Sequence, residues 1–150
     1  MHEKTRKRKH GEWALDFGVS EFLFDFLAFL RLILMKTINE LCDLVRETSF
    51  AIHQYHRHGH LEKIYENALA HRLGKAGLNV HQQHPIQVFD EDGTILGDFY
   101  ADLVVEGKLI VELKALKSIA DEHVAQLLGY LRSSRMEHGL MINFGAPVCL

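Results

Sequence analysis

The segment DLVVEGKLIVELKA, residues 102–115, is the feature of this sequence that most constrains its fold. Two short runs of aliphatic and β-branched residues flank a Glu-Gly-Lys turn, a pattern typical of two paired strands inside a sheet. Three charged residues, Asp102, Glu112 and Lys114, interrupt these apolar runs. Because moving an unpaired charge out of water costs several kcal/mol, the three charges need a structural or functional explanation.

The length of the turn decides on which face Asp102 lies, because side chains alternate along a strand. A two-residue loop would place Asp102 and Glu112 on opposite faces of the hairpin. A three-residue loop, with Gly107 at positive φ, pairs Val105 with Leu109 and puts Asp102 opposite Glu112, with Cβ atoms about 5 Å apart.

Two carboxylates that face one another repel, unless a cation lies between them or one of them is protonated. A hard divalent ion such as Mg²⁺, which takes oxygen ligands, would remove the repulsion between Asp102 and Glu112. Lys114 shares the face of Glu112 and would lean into the same site. The alternative interpretation is a set of strand-end charges that reach solvent, since Lys and Glu are rarely buried.

The rest of the chain predicts the element order α-α-β-β-β-α-β, an α/β or α+β fold with a mixed central sheet flanked by helices. Turn signals separate the strands, with DEDG typical of a hairpin. The predicted elements are a helix from residue 35 into HQYHRHGH, a helix over LEKIYENALAHRLGKAG with Leu61, Ile64, Tyr65, Ala68 and Leu69 inward, strands at IQVF, TILGDFYADLVV and KLIVELKA, a helix over SIADEHVAQLLGYLRSSR, and a last strand at LMINF.

Residues 1–34 are predicted to form an N-terminal extension outside a domain at 35–150. The tip MHEKTRKRKHG is typical of a solvated cationic tail. The apolar run SEFLFDFLAFLRLILM contains Asp25 and Arg31, lacks a small-residue cleavage site and is shorter than the ~20 residues that span a bilayer, which argues against a signal peptide or a membrane helix. An alternative is a start assigned too far upstream, with Met35 as the true one.

The composition limits the partners and the compartment. The formal net charge is −3, so a phosphate-bearing partner must be held by a local basic patch or a metal ion rather than by the overall charge. Cys42 and Cys149 lie far apart in the sequence and have neither disulfide nor zinc-finger spacing, which suits a reducing cytoplasm.

A histidine-rich segment offers a possible zinc site as a further hypothesis. His53 and His56 are three residues apart, a spacing that places ligands on one helical face. Gly59 interrupts the helix and no cysteine joins the cluster, so solvated histidines are the favoured interpretation. The histidines concerned are His53, His56, His58 and His60, with His81 and His84 further along.

The D-x9-E-x-K hairpin, preceded by an acid-bearing helix and followed by a helix with a glutamine, resembles the PD-(D/E)XK nuclease superfamily. More specifically, the chain resembles the GxxExxY family of small bacterial proteins, whose motif reads GHLEKIY at residues 59–65. The resemblance continues through DFYADLVVEGKLIVELKA, QLLGYL and LMINFG, and covers about residues 35–145. It implies a PD-(D/E)XK-like core within the predicted α/β fold.

The resemblance also implies a site and an activity. It makes Asp102 and Glu112 the metal carboxylates and Lys114 the catalytic lysine. Glu62 would add a metal ligand or hold a metal-bound water, and Gln126 matches a glutamine near the catalytic site. The implied cofactor is Mg²⁺ or Mn²⁺, the implied partner is nucleic acid, and the implied reaction is hydrolysis of phosphodiester bonds.

Three departures from the family pattern bear on these expectations. Ala101 stands where many relatives have a proline, residues 1–34 have no counterpart, and the chain ends at 147–150, earlier than relatives do, so the domain at 35–150 is expected to be truncated at its C-terminus. A second function remains open, that of a catalytically inactive nuclease-fold module that binds or regulates. The acidic core charges and the lack of an evident DNA-reading domain motivate it.

Overall fold

The computed structural model describes residues 36–145. The predicted N-terminal extension, the chain terminus at 147–150 and Cys149 lie outside the described residues. Within the described range the helices and strands follow the predicted order, and none of these helices is long and apolar enough to cross a bilayer. The elements are α1 (Ile38–His56), α2 (Glu62–Lys75), β1 (Val80–Phe89), β2 (Ile95–Val105), β3 (Leu109–Lys114), α3 (Asp121–Ser134) and β4 (His138–Asn143).

The four strands form one mixed sheet in the order β1-β2-β3-β4. β1 pairs with β2, and β2 with β3, in antiparallel fashion, whereas β3 and β4 are parallel. The parallel pair requires a crossover, which α3 provides. This pairing confirms the predicted mixed sheet. β3, which carries Glu112 and Lys114, is an inner strand of the sheet formed by residues 36–145, and all six of its residues are buried.

The loop between β2 and β3 has three residues, 106–108, as the second of the two registers requires. Val105 pairs with Leu109, and the glycine in the loop has a φ of +63°. The ladder continues to the pair Leu103–Val111 and ends there. Asp102 and Glu112 therefore stand at the first position beyond the paired part of the hairpin.

Both faces of the sheet carry a hydrophobic core, because side chains of β3 alternate between them. Leu109, Val111 and Leu113 join the core beneath α1 and α2, whereas Ile110 joins the core beneath α3. Helices thus cover β3 on both sides, and its backbone is a rigid support for the charged residues at its end.

The buried face of α2 differs from the predicted one. Leu61 and Ile64, predicted to face inward, are 80% and 44% exposed. The helix begins at Glu62, and the first residue that it buries is Tyr65. Leu61 and Ile64, at the beginning of the helix, therefore remain exposed to solvent. The residues that α2 buries are Tyr65, Glu66, Leu69 and Leu73.

β1 is longer than the predicted IQVF and begins at Val80. The additional residues include the polar run HQQH, which gives little strand signal in the sequence. β1 lies at an edge of the sheet formed by residues 36–145, so most of these side chains remain exposed. Gln82 and Gln83 also donate hydrogen bonds to one acid and one amide of α2, Glu66 and Asn67, and these bonds hold the polar part of β1 against the helix.

Candidate functional site

Glu112 and Lys114 form a buried ion pair at the end of β3. Lys114 Nζ donates a hydrogen bond to Glu112 Oε1 at 2.8 Å, and the two side chains are 11% and 3% exposed. Within residues 36–145, Glu112 Oε2 is the one buried side-chain oxygen or nitrogen that has no hydrogen-bond partner. A buried carboxylate oxygen without a donor is costly, so this atom is an open position for a ligand.

Asp102 lies where β2 and β3 cease to pair. Its Oδ2 accepts a hydrogen bond from the backbone N–H of Leu113 at 2.8 Å, and its Oδ1 accepts one from Gln83 Nε2 at 3.3 Å. The carboxylate is half-buried and is held from both neighbouring strands. Its position next to the end of β3 brings it toward Glu112 and Lys114.

Gln83 links Asp102 to α2. Its Nε2 donates both to Asp102 and, at 2.9 Å, to Glu66 Oε2. Gln83 has a φ of +49°, between residues that pair regularly with β2. Such a backbone conformation is unfavourable for a residue other than glycine. The side-chain bridge between two carboxylates offsets that cost.

Glu66 is a buried acid of this network that sequence reasoning missed. It is 3% exposed and also accepts hydrogen bonds from Lys63 Nζ at 2.6 Å and from Gln82 Nε2 at 2.9 Å. One signal was present in the sequence, because Glu66 lies four residues after Glu62 and therefore on the same helical face.

Gln126 on α3 connects the ion pair to the opposite side of the sheet. Its Oε1 accepts a hydrogen bond from Lys114 Nζ at 3.2 Å, and its Nε2 donates one to Tyr130 Oη at 2.6 Å. The ammonium of Lys114 is thus held between a carboxylate and an amide oxygen, with Tyr130 fixing the amide.

The motif at residues 59–65 explains how Glu62 is placed. Gly59 has a φ of +110°, a left-handed conformation that favours glycine. Tyr65 is fully buried, stacks on Phe144 with ring centroids 4.4 Å apart, and donates its hydroxyl to the carbonyl of Arg57 at 2.7 Å. Glycine and tyrosine together define the entry into α2, and Glu62 is the first residue of the helix.

The carboxyl groups of the site are desolvated. Burial raises the pKa of Glu62, of Asp102 and of Glu112 above their ordinary values. Burial by itself lowers the pKa of the Lys114 ammonium, but the hydrogen bond and charge of Glu112, with the other two carboxylates, outweigh it and the pKa is raised. One ammonium thus faces three carboxylates, and the site retains an excess of negative charge.

The five residues implied by the resemblance converge around the end of the β2–β3 ladder. Asp102, Glu112 and Lys114 do not share one face of the hairpin, although the register alone had predicted that they would. Asp102 is tied toward α2 through Gln83, and Lys114 toward α3 through Gln126. The physical reason is the divergence of β2 from β3 beyond Leu103, which lets groups from both faces meet.

The residues fit a hard divalent ion by their chemistry rather than as a preformed cage. Between residues 36 and 145, no group of three or more His, Cys, Asp and Glu side chains is arranged to hold a metal ion. Asp102 and Glu112 nonetheless supply the oxygen ligands that Mg²⁺ and Mn²⁺ prefer, and the free Oε2 of Glu112 is such a ligand without a competing donor.

The raised carboxyl pKa values predict a pH dependence of stability in the absence of divalent ions. The pKa of Glu112 is raised above 4.5 in the folded state, so the folded chain retains a proton that the unfolded chain has lost. Stability therefore decreases as the pH rises from about 4.5 through the folded-state pKa. Urea unfolding in EDTA should show a steeper decrease for the wild type than for Glu112→Gln.

The matched control is Glu47→Gln, which changes an exposed glutamate of α1. This variant should retain the slope of the wild type. Stability that increases with pH over the same range, or equal slopes for the wild type and Glu112→Gln, would contradict the desolvation of Glu112.

Comparison with known protein families agrees with this geometry. Residues 39–149 match the family model of the PD-(D/E)XK nuclease superfamily, which is most of the chain. Comparisons with curated proteins and with solved structures gave no match. The matched region contains the β2–β3 hairpin, both helices that contribute to the site, and all five residues around the end of the ladder. The chain therefore belongs to the PD-(D/E)XK nuclease superfamily.

Proposed function

We propose that this chain is a Mg²⁺- or Mn²⁺-dependent nuclease that hydrolyses phosphodiester bonds of nucleic acid. The observation that carries the proposal is the convergence of Asp102, Glu112 and Lys114, with one buried oxygen of Glu112 left without a donor. Membership of the superfamily supports nuclease activity in general, and nucleases of this superfamily typically use divalent metal ions.

Asp102 and Glu112 are the residues that would hold the ion, with Glu62 adding a ligand or binding a coordinated water. When bound, a divalent ion acidifies a water molecule and withdraws charge from the phosphate. The surplus of negative charge in the site favours a cation there, because three carboxylates face one ammonium. Burial raises the pKa values of these carboxyl groups by disfavouring their ionised form. A bound cation would stabilise the ionised form.

Lys114 would act on the reacting phosphate or on the attacking water. Its ammonium is oriented by Glu112 on one side and by Gln126 on the other. From that position it would donate a hydrogen bond to the water or to the oxygen on which charge develops in the transition state. Gln126, fixed by Tyr130, would keep the ammonium in place.

The finer assignment to the GxxExxY family belongs to the same proposal. It is supported by the structural roles of Gly59, Glu62 and Tyr65, which bring an acid into the site at the start of α2. A reducing cytoplasm is the proposed compartment, as the cysteine usage suggests.

Metal-dependent cleavage is the direct test of this function. The full chain is incubated with labelled single- and double-stranded DNA and RNA in Mg²⁺, in Mn²⁺ or in EDTA, and products are separated by electrophoresis. We expect cleavage with either metal and none in EDTA. Asp102→Asn should lower the cleavage rate at least about 100-fold. Residues that only orient a metal ligand contribute about 10- to 100-fold to metal affinity or activity, and a direct ligand should contribute no less.

Asp98→Asn is the control, because Asp98 is an exposed acid on the same strand, and it should cleave like the wild type. Cleavage that survives Asp102→Asn would overturn the assignment of the site. Binding of nucleic acid with no turnover in either metal would favour the inactive binding or regulatory module instead.

A further inference from the structure

A cavity of about 520 Å³ lies between the end of the β1–β2 hairpin and α3, outside the candidate catalytic residues. We refer to it as the α3 cavity. Two aromatic rings and two guanidinium groups are among its lining side chains, and one carboxylate accompanies them. The lining residues are Val88, Phe89, Asp90, Phe99, Gly129, Arg132, Ser133 and Arg135.

Gly129 leaves one wall of the α3 cavity open. It lies in the interior of α3, where glycine destabilises a helix relative to alanine. Packing does not require it, since a Cβ built on Gly129 would meet nothing within 4 Å. Gly139 of β4 differs, because a Cβ there would come within 3.0 Å of Leu127. The cavity is the structural feature that the missing side chain of Gly129 preserves.

A series of side-chain contacts links the α3 cavity to the candidate catalytic site. Phe99, 41% exposed, lies with its ring centroid 5.2 Å from that of Tyr130. Tyr130 is bonded to Gln126, and Gln126 to Lys114. From Gln126 to Arg132 the helix rises only about 9 Å. A polymer whose scissile phosphate lies at Lys114 would therefore pass the cavity with its neighbouring residues.

The charges of the α3 cavity suit phosphate groups. Neither Arg132 nor Arg135 has a carboxylate within 4.0 Å among residues 36–145. Asp90 is the one acid in the lining, so the two guanidinium groups leave a local positive charge on a chain that is acidic overall. Guanidinium groups pair well with phosphate oxygens.

We propose that the α3 cavity receives unstacked bases of single-stranded nucleic acid next to the phosphate to be cleaved. Phe89 and Phe99 supply apolar ring surfaces for the bases, and Arg132 and Arg135 contact the backbone, the combination typical of single-strand binding sites. A duplex keeps its bases stacked and paired, so it cannot use the rings. The inference rests on the proposed nuclease function, because it names the substrate form of that same site.

The decisive variant is Gly129→Leu, which adds a side chain to the cavity wall where a Cβ meets no other atom within 4 Å. Binding of a short labelled oligothymidylate strand, and of the duplex of the same length, is measured by fluorescence anisotropy with full-length protein in EDTA, where cleavage does not interfere. The wild type should bind the strand more tightly than the duplex. Gly129→Leu should raise the dissociation constant for the strand, since stacking of one base contributes about 5- to 150-fold.

Gly74→Leu is the matched control, because Gly74 is a glycine of α2 whose Cβ would also meet nothing within 4 Å. It should leave strand binding unchanged, and thermal unfolding should show both leucine variants folded. Phe99→Ala repeats the test by deleting a ring that lines the cavity, and it should also weaken binding of the oligonucleotide strand. Its control is Phe50→Ala, which deletes an exposed ring of α1.

The outcomes separate this inference from the proposed function. Equal strand affinity for wild type and Gly129→Leu, or a duplex bound as tightly as the strand, overturns the inference even if the protein cleaves nucleic acid. Strand binding that is weakened by Gly129→Leu and by Phe99→Ala, without metal-dependent cleavage by the wild type, supports the α3 cavity as a binding site for single-stranded nucleic acid and refutes the nuclease proposal.

Discussion

Replacing Lys114 by methionine is expected to lower the free energy of unfolding by about 3–5 kcal/mol at neutral pH. The side chain of Glu112 is 3% exposed, and its Oε1 accepts from Lys114 while its Oε2 has no donor in the described part of the chain. Without the ammonium, the carboxylate would be buried and uncompensated, or would have to take up a proton. The shift in the midpoint of urea unfolding measures the loss.

Two comparisons separate charge from packing. Lys63→Met also removes a lysine that pairs with a buried acid, Glu66. Glu66 keeps the amide donors of Gln82 and Gln83, so Lys63→Met should lower the free energy of unfolding by less than about 1 kcal/mol. The double variant Glu112→Met/Lys114→Met removes both charges.

The double variant should recover most of the stability lost by Lys114→Met, because apolar side chains of similar volume can replace a buried ion pair at little cost. The loss caused by Lys114→Met alone should also shrink at low pH, where Glu112 is protonated. If the double variant is no more stable than Lys114→Met, Lys114 contributes by packing and the interpretation of the ion pair is wrong.

The hairpin could be predicted from the sequence because its determinants are local. The sequence predicts the two strands and leaves two loop lengths open, and the structure has the three-residue loop, in which Val105 pairs with Leu109 and Gly107 has a positive φ. Strand alternation then places Glu112 and Lys114 together. Because β3 is apolar on both faces, alternation alone does not decide between the two registers, and the length of the loop decides it.

The network around Asp102 could not be predicted because it depends on long-range contacts. Gln83 and Glu66 are 17 residues apart in sequence and meet only when β1 pairs with β2 beside α2. Glutamine at an edge strand and glutamate on an amphipathic helix are both ordinary surface residues in a sequence. The positive φ of Gln83 has no sequence signal at all, since glycine is the residue expected there.

The inward face of α2 illustrates a related difficulty. Helical spacing groups Leu61 and Ile64 with Tyr65, but spacing alone does not say where the helix begins or which part of an apolar stripe is covered. Because α2 starts at Glu62, its first turn carries an acid toward the site and leaves Leu61 in solvent.

Replacing Lys114 by arginine is expected to lower the turnover number of cleavage about 10²- to 10³-fold. The affinity for single-stranded oligonucleotide in EDTA should remain unchanged. The positive charge beside Glu112 is retained, so the chain should stay folded. The ammonium of Lys114 is a compact donor held by Glu112 and Gln126, whereas a guanidinium is a planar fork that presents its donors elsewhere. A displaced donor no longer meets the oxygen on which charge develops, and the loss of one such donor costs about 2.7–4 kcal/mol of transition-state stabilisation.

Turnover and strand affinity must be measured together, because only their difference assigns Lys114 to the chemical step rather than to substrate binding. Lys63→Arg serves as the control, since this lysine is more than half exposed and pairs with Glu66 outside the predicted set of catalytic residues. It should cleave like the wild type. A Lys114→Arg enzyme that cleaves within about tenfold of the wild type would show that positive charge is sufficient at this position, because the loss of an oriented donor costs at least about 10²-fold. A loss of affinity equal to the loss of turnover would instead make Lys114 a substrate-binding residue.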